Sequence, residues 1–356
     1  MPEHPLDGHR QPLAEWLAAR IGGADAVTIV GFDDPKSGYS AETTMLTATV
    51  TAGGAHRDHR FVLRRETPEP PVYPVQVPGT EVEIAVQYRV MEALTEAGGV
   101  ALAPLVGYDD DPTVVGMPFF VMEFVDGQVP VEDPIYTSAG FFVDATPDQR
   151  RSMIDHGVAT LASVHRVDWR AAGLDWLIPD DATPDATRQL DLWEDYTRRE
   201  LDGRVHAHLD RAWDYLRAEQ PTTTSPALSW GDPRPGNIIW NDFRPACVTD
   251  FEAAAIAPPE IDLGWWLMFD HWSHETMGQP RLPGEPTRDE QRERYYEALG
   301  LDLGDSTWFE VFAAARYCGI VVRVMNRLVD RGVMPADHTI WLENPASVCL
   351  SLLFPG

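Results

Sequence analysis

The sequence predicts an α+β chain of two lobes. An N-terminal antiparallel sheet with one or two helices occupies residues 1–125, and a mainly helical lobe carrying one small hairpin occupies 126–356. Three observations lead there. The chain has 356 residues, more than the usual single-domain length of about 100–200. Strand-like segments gather before residue 125, and helical periodicity dominates after it. Between them runs MPFFVMEFVDGQ at 117–128, a continuous apolar strand that breaks off at Asp126-Gly127 and marks a hinge over 122–127.

The elements follow in order. Leu13, Trp16, Leu17 and Ile21 recur at helical spacing until Gly22-Gly23 stops them. The block ETTMLTATVTAGGAHRDHRFVLRRE at 42–66 reads as two β-rich strands around a glycine turn, preceded by the polar loop DDPKSGYSA. Thr80-Glu81-Val82-Glu83 fits a capping box, opening a helix whose buried stripe is Ile84, Tyr88, Met91 and Leu94. Thr146-Pro147-Asp148-Gln149 is a second capping box, with proline at the first helical position; Met153, Gly157, Leu161 and Val164 share one face of its helix. Helices also fit 188–200, 205–218, 260–272 and 307–329. Ile238, Ile239 and Trp240, then Cys247 and Val248, read as two short strands turning at Asn241-Asp242.

Composition narrows the function. The net charge of −28 argues against nucleic acid as a partner, because phosphate binding needs a basic surface. Cys247, Cys318 and Cys349 are too few and too scattered for a disulfide framework or a zinc ribbon. A chain of this length buries roughly three-quarters of its unfolded surface and needs neither to fold. No apolar run reaches the ~18 residues of a membrane span, and Met1 leads into a polar stretch; the expectation is a soluble, cytoplasmic protein with no membrane partner. Lys36 is the one lysine, so a function that needs lysine has almost nowhere to sit.

The chemistry concentrates in SWGDPRPGN at 229–237 and TDFEAA at 249–254. Asp, Pro, Gly and Asn punctuate ordinary turns, and that is the plain alternative. Phosphoryl transfer from ATP, however, asks for a small set of groups: a carboxylate at the acceptor hydroxyl, oxygen ligands for Mg²⁺ and a cation against the phosphates. Asp232 suits the first role, and Asn237 with Asp250 the second, since Mg²⁺ takes one or two protein oxygens beside phosphate and water. Arg234 lies two residues after Asp232, within reach of a transferring phosphoryl group. The spacing D-x-x-x-x-N, then an acid ending the next short strand, is that of protein-kinase catalytic and metal loops.

At these residues the chain resembles the aminoglycoside phosphotransferase-like kinases, most closely a bacterial subfamily of uncharacterised phosphotransferases. The resemblance is carried by Trp230-Gly231-Asp232-Pro233-Arg234-Pro235-Gly236-Asn237, by Asp250-Phe251-Glu252, and by Pro258-Pro259-Glu260-Ile261-Asp262-Leu263-Gly264-Trp265-Trp266. PFFVMEFVDG resembles the family's hinge strand and LASVHRVDW at 161–169 its helix ending in Leu-x-x-x-His. The resemblance spans residues 30–330. It implies a bilobal protein-kinase-like fold, with Asp232 as catalytic carboxylate, Arg234 beside it, and Asn237 and Asp250 as Mg²⁺ ligands. It further implies that the backbone around Glu123 and Val125 bonds adenine, and that Ser40 and its neighbours cover the phosphates of ATP. The loop around Ser40 has only Gly38, so it is not a G-x-G-x-x-G loop.

Two positions depart from the family. FVLRRE puts Arg64 where many kinases have the strand lysine; arginine keeps its charge and grips phosphate bidentately, and the alternative is a strand-edge surface arginine. The usual helix glutamate of E-[YF]-R-V is here Gln87, in Gln87-Tyr88-Arg89-Val90. Glu83, one turn earlier, is the candidate to partner Arg64; its alternative is the capping box with Thr80.

Asp262 reads as a buried carboxylate bracing the catalytic loop. His165 reads as a helix-end residue facing the terminal carbonyls. His271 and His274 lack HExxH and HxxEH spacing, and Trp266, Asp270 and His274 share a face that can line a pocket. The stretch DLGWWLMFDHWSHETMG at 262–278 is rich in aromatic residues, which suits a weakly charged hydroxylated acceptor better than a polycation. The expected function is thus an ATP- and Mg²⁺-dependent kinase acting on a small-molecule hydroxyl. Its rival is a nucleotide-binding pseudokinase, favoured by the missing helix glutamate. A hydrolase with Asp232 as nucleophile lacks a partnering acid. Oligomeric state is not legible.

Overall fold

The computed structural model describes residues 4–34, 41–180, 182–301 and 304–354. Helix α1 (Arg10–Arg20) buries Leu13, Trp16 and Leu17, three of the four residues whose spacing announced it. It packs on β1 (Ala26–Asp33), which pairs antiparallel with β2 (Glu42–Ala52). The chain returns through Gly53 and Gly54, at φ 56° and 79°, into β3 (Ala55–Arg65). A glycine pair relieves the steric cost that any side chain pays at positive φ.

Helix α2 (Glu83–Ala97), β4 (Leu105–Asp109), the short α3 (Pro112–Val115) and β5 (Phe119–Glu123) complete an antiparallel sheet of order β1-β2-β3-β5-β4. β5 lies between two strands, and Phe119, Phe120, Val121 and Met122 are all buried. Both faces are covered, which is why its sequence is continuously apolar and not alternating. The capping box read at Thr80 is absent. Thr80 gives its hydroxyl to Val77 O at 2.7 Å, and α2 begins at Glu83 with no side-chain cap.

After β5 the chain crosses to a C-terminal hairpin, β7 (Ile238–Asn241) with β8 (Arg244–Val248). Gln128 and Trp240 exchange backbone bonds of 2.8 Å in both directions. A Cβ on Gly127 would sit 2.7 Å from Trp240 O, so only glycine lets the two backbones come this close. The hairpin turns at Asp242-Phe243, both at positive φ, one residue later than the sequence suggested.

Ahead of the hairpin come α4 (Phe141–Asp144), α5 (Pro147–His165), α6 (Ala186–Leu201), α7 (Ala207–Ala218) and the strand β6 (Ala227–Ser229). The box at Thr146 and Gln149 makes both of its reciprocal bonds. β9 (Ala255–Ala257) pairs with β6, and α8 (Pro259–His271) follows, running into a π-turn over Trp272–Thr276. α9 (Arg288–Leu299), α10 (Thr307–Asp330) and α11 (Pro345–Leu353) close the chain. Where α8 meets α10, a Cβ on Gly264 would lie 2.5 Å from backbone atoms of Phe309, which fixes how near the two helices lie.

One body of buried side chains runs without a break from the sheet through α5 to the hairpin; a second joins α6, α7, α8, α10 and α11. The segment 229–237 lies where the two meet: Trp230 belongs to the first body, and Asp232 bonds Trp265 of the second. No helix among the described residues is long and apolar enough to cross a membrane.

Candidate active site

The site is built on Asp262, in the first turn of α8. Its carboxylate is fully buried and accepts from Ser229 Oγ (2.7 Å), Trp230 N (2.7 Å), Gly231 N (3.3 Å) and His165 Nε2 (3.0 Å). Burial opposes the charge, but the bonds from His165 and Ser229 prevail and hold the carboxyl below its ordinary pKa. His165 therefore acts through Asp262 and through its Nδ1 contact with the Tyr295 hydroxyl, not through its own helix end. Gly231 is at φ +91°, and a Cβ there would meet Ala253 O at 2.3 Å. Its carbonyl receives Arg316 Nη2 at 3.1 Å. Arg316 is sandwiched between Trp193 and Trp265, at 4.4 and 4.6 Å from the ring centroids, and burial pushes it down to about 10.

These contacts aim Asp232, which is buried. Oδ1 accepts Trp265 Nε1 at 2.7 Å. Oδ2 accepts Asn237 Nδ2 (2.8 Å), Tyr73 Oη (3.2 Å) and Arg234 Nε (3.3 Å). Asn237 also gives Nδ2 to the Asp232 carbonyl at 2.9 Å, and its own carbonyl accepts Thr249 N at 3.0 Å. Asp250, the next residue, is half-exposed and at φ +59°, an unusual conformation for a side chain. Trp230 Nε1 clamps the Thr249 and Asp250 carbonyls at 2.8 and 3.1 Å. The Thr249 bond to Asn237 thereby ties the Asp232–Asn237 pair to the segment that carries Asp250.

Arg64, at the end of β3, reaches the same cluster. Its Nη2 lies 3.1 Å from Asp250 Oδ1 and 3.6 Å from Glu252 Oε2, and Nη1 donates to Thr43 Oγ1 at 2.9 Å. Nε and Nη2 are buried without a well-oriented hydrogen-bond acceptor. It is not a strand-edge surface arginine. Arg234 pairs with Glu132 and Asp232; burial opposes its charge, and those two carboxylates overcome it and raise its pKa.

Glu83 does not partner Arg64, contrary to the sequence expectation. Its Oε1 accepts Val72 N at 3.2 Å, and burial, then the charge of Glu66, pushes its carboxyl up to about 7. The connection from α2 to the cation runs instead through Gln87, whose Nε2 donates to Glu252 Oε2 at 3.0 Å. The glutamine is accounted for. Arg64 finds its carboxylates on Asp250 and Glu252, and a glutamate at 87 would face Glu252 with a like charge.

At the hinge, Glu123 N is committed to Pro104 O (2.8 Å) and Phe124 N to Arg60 O (3.0 Å). Val125 follows, half-buried, ahead of the Gln128–Trp240 bridge. Ser40 lies outside the described residues.

The face expected to line a pocket is a closed polar network. Asp270 binds Arg281 and Gln291, His274 binds Glu285 and Gln279 O, and Trp266 Nε1 donates to Gln291. Asp270, His274 and Glu285 offer ligand atoms within 4.8 Å of one another, but the Arg281 guanidinium already neutralises the cluster. Phe269, Trp272 and Tyr317, all half-buried, pack on one another, with Phe269 and Tyr317 centroids 5.1 Å apart and the Arg234 guanidinium 5.9 Å from the Phe269 centroid. Sequence reasoning missed Tyr73, Glu132 and Arg316, each of which comes from a distant segment. Tyr73 alone had a local sign, its place between Val72 and Pro74 in a proline-rich stretch.

A sheet whose arginine meets a D-x-x-x-x-N loop and a following aspartate defines a kinase-like phosphotransferase. The chain belongs to the phosphotransferase enzyme family, whose model it matches over residues 35–295. A candidate aminoglycoside phosphotransferase of Ralstonia eutropha shares the fold at TM-score 0.70 and 22% identity, over 96% of both chains. Macrolide 2′-phosphotransferase of Brachybacterium faecium shares it at 0.55 and 17%, over 96% of this chain and 97% of that one. By sequence, acyl-CoA dehydrogenase family member 11 of Gallus gallus is 27% identical over 253 residues, 68% of this chain and 29% of that protein. Its mouse counterpart is 24% identical over 341 residues, 92% of this chain and 40% of that protein. The chain thus spans less than half the length of these curated relatives.

The raised pKa of Glu83 has a stability consequence. Below the ordinary value of 4.5 the carboxyl is protonated folded or unfolded and costs nothing; between 4.5 and about 7 only the folded state keeps the proton, so stability falls as pH rises. Glu83→Gln removes that cost. Its advantage in thermal unfolding should grow from about pH 5 to about pH 8, reaching on the order of 1–3 kcal/mol. A difference independent of pH would contradict the assignment.

Proposed function

We propose that the protein transfers the γ-phosphoryl group of ATP, with Mg²⁺, to a hydroxyl of a small, weakly charged molecule. The observation that carries this reading is the shared geometry of Asp232, Asn237 and Asp250, with Arg64 facing them. In the transfer, Asp232 Oδ2 orients the acceptor hydroxyl and takes its proton as the acceptor oxygen bonds phosphorus and the bond to ADP breaks. Trp265 and Asn237 keep the carboxylate in one orientation, so none of that alignment is left to the moment of reaction. The N–H groups on Arg64 Nε and Nη2, which lack a well-oriented acceptor, suit phosphate oxygens, and Arg234 would stand beside the transferring group.

The donor set also fits Mg²⁺. Asn237 spends its amide N–H groups on Asp232, which leaves its amide oxygen, with the Asp250 carboxylate, as a hard-oxygen pair of the kind Mg²⁺ accepts. When bound there, Mg²⁺ would neutralise the charge of the phosphates.

The acceptor class rests on charge. Glu132, Asp270 and Glu285 are engaged by Arg234, Arg281 and His274 respectively. A polyamine would find few free carboxylates. Half-buried Phe269, Trp272 and Tyr317 suit an apolar body with one hydroxyl. The acyl-CoA dehydrogenase relatives are named for acyl compounds, and a hydroxylated acyl compound is the acceptor we favour.

Asp232→Asn should keep MgATP binding, read by calorimetry, and lower turnover with the true acceptor by on the order of 10²–10⁴. Near-native turnover would remove Asp232 from the base position. A coupled ATP-consumption screen should find hydroxyacyl compounds or neutral alcohols ahead of kanamycin-like polyamines. Efficient use of an aminoglycoside, with every neutral alcohol inactive, would refute the acceptor class.

A further inference from the structure

The stretch from Thr67 to Val82, between β3 and α2, runs across the helical part of the chain. Arg323 Nη2 and Nε hold the carbonyls of Pro70 and Pro71 at 3.1 and 3.2 Å. Tyr196 binds the Val72 carbonyl, and Gln189 Nε2 reaches Gln76 Oε1 at 3.0 Å. The strap is thus pinned on both sides of residues 73–75, and Pro74 restricts Tyr73 to an extended backbone. From that fixed point Tyr73 sends its hydroxyl to Asp232 Oδ2, 3.2 Å away.

Which oxygen of Asp232 an acceptor uses is already decided. Oδ1 is locked by Trp265, a buried side chain of α8. Oδ2 remains, and its other partners, Asn237 and Arg234, belong to the catalytic loop itself. Tyr73 differs from both. It is neutral, it comes from 159 residues away, it is half-buried, and it is a hydroxyl like the group the reaction needs. Burial, then the charge of Asp232, keeps its pKa well above the ordinary value, so it remains a donor at any working pH.

We infer that Tyr73 is a placeholder for the acceptor: its hydroxyl occupies the acceptor's seat on Asp232 Oδ2, keeps water out of it, and leaves by side-chain rotation when the acceptor arrives. This rests on Asp232 being the base of a phosphotransferase. It gives Tyr73 a positioning role, suppressing transfer of the γ-phosphoryl group to water. In that side reaction the water oxygen bonds phosphorus, its proton goes to Asp232, and ADP leaves with inorganic phosphate formed.

The test is phosphate release from MgATP without any added acceptor, in the wild type, Tyr73→Phe, Tyr73→Ala and Tyr73→Ala/Asp232→Asn. Calorimetry on the same proteins reads MgATP affinity. Tyr73→Phe should raise hydrolysis by about 10–100-fold, the worth of one hydrogen bond to a charged group, and Tyr73→Ala by at least as much, with MgATP affinity changed less than about twofold. The double variant should lose the gain. A tyrosine that merely supports the fold would leave hydrolysis unchanged or lower. Unchanged or lower hydrolysis in Tyr73→Phe with intact MgATP binding overturns the inference while leaving the phosphotransferase reading in place. A wild type that binds no MgATP overturns that reading, and the inference with it.

Discussion

The buried carboxylate of Asp262 is the interaction on which the rest of the site depends. An ionised group with no exposure is tolerable only when its lone pairs are filled, and this one takes donors from a hydroxyl, two backbone amides and an imidazole. Two of those amides, on Trp230 and Gly231, lead directly into Asp232. The same anchoring holds Gly231 at a φ that brings it against Ala253, so the loop carrying Asp232 and the turn ahead of β9 are set by one contact. Arg316, wedged between two indoles and bound to the Gly231 carbonyl, completes the support from α10. The loop owes its shape to these neighbours more than to its own prolines.

A second constraint is the exchange of partners around Arg64. In the reading drawn from the family, a strand cation pairs with a glutamate on the neighbouring helix. Here the cation faces Asp250 and Glu252, and the helix contributes the amide of Gln87, which bridges to Glu252 without adding charge. This arrangement is self-consistent electrostatically: one guanidinium between two carboxylates, with a neutral donor on the outer acid. The place of the missing helix glutamate beside Arg64 is thus taken by Glu252.

What was legible in the sequence was local. The strand-to-loop words around Asp232, Asn237 and Asp250 set residue types and spacing within a few residues, and the buried β5 betrays itself by an unbroken apolar run. The bracing role of Asp262 was legible for the same reason, since it lies in the first turn of a helix that follows a short strand. What required distant segments to meet was not legible. Glu83 satisfied two local patterns, a capping box and an i−4 position to Gln87, and took up neither, because docking of the strap buries it against Val72 and Glu66. Trp266, Asp270 and His274 share a helical face as expected, yet Arg281 and Glu285 close over it. Helix α9 has only Gln291 and Tyr295 buried, so it carries almost no apolar stripe to announce it.

The proposed function makes Asp232, Asn237, Asp250 and Arg64 one nucleotide- and metal-binding catalytic centre. A crystal structure with Mg²⁺ and a non-hydrolysable ATP analogue tests it most directly. Adenine should lie against the backbone of residues 123–125, the metal on oxygens of Asn237 and Asp250, phosphate oxygens on Arg64, and the terminal phosphate facing Asp232. A nucleotide bound elsewhere, or a metal that touches neither Asn237 nor Asp250, would contradict it.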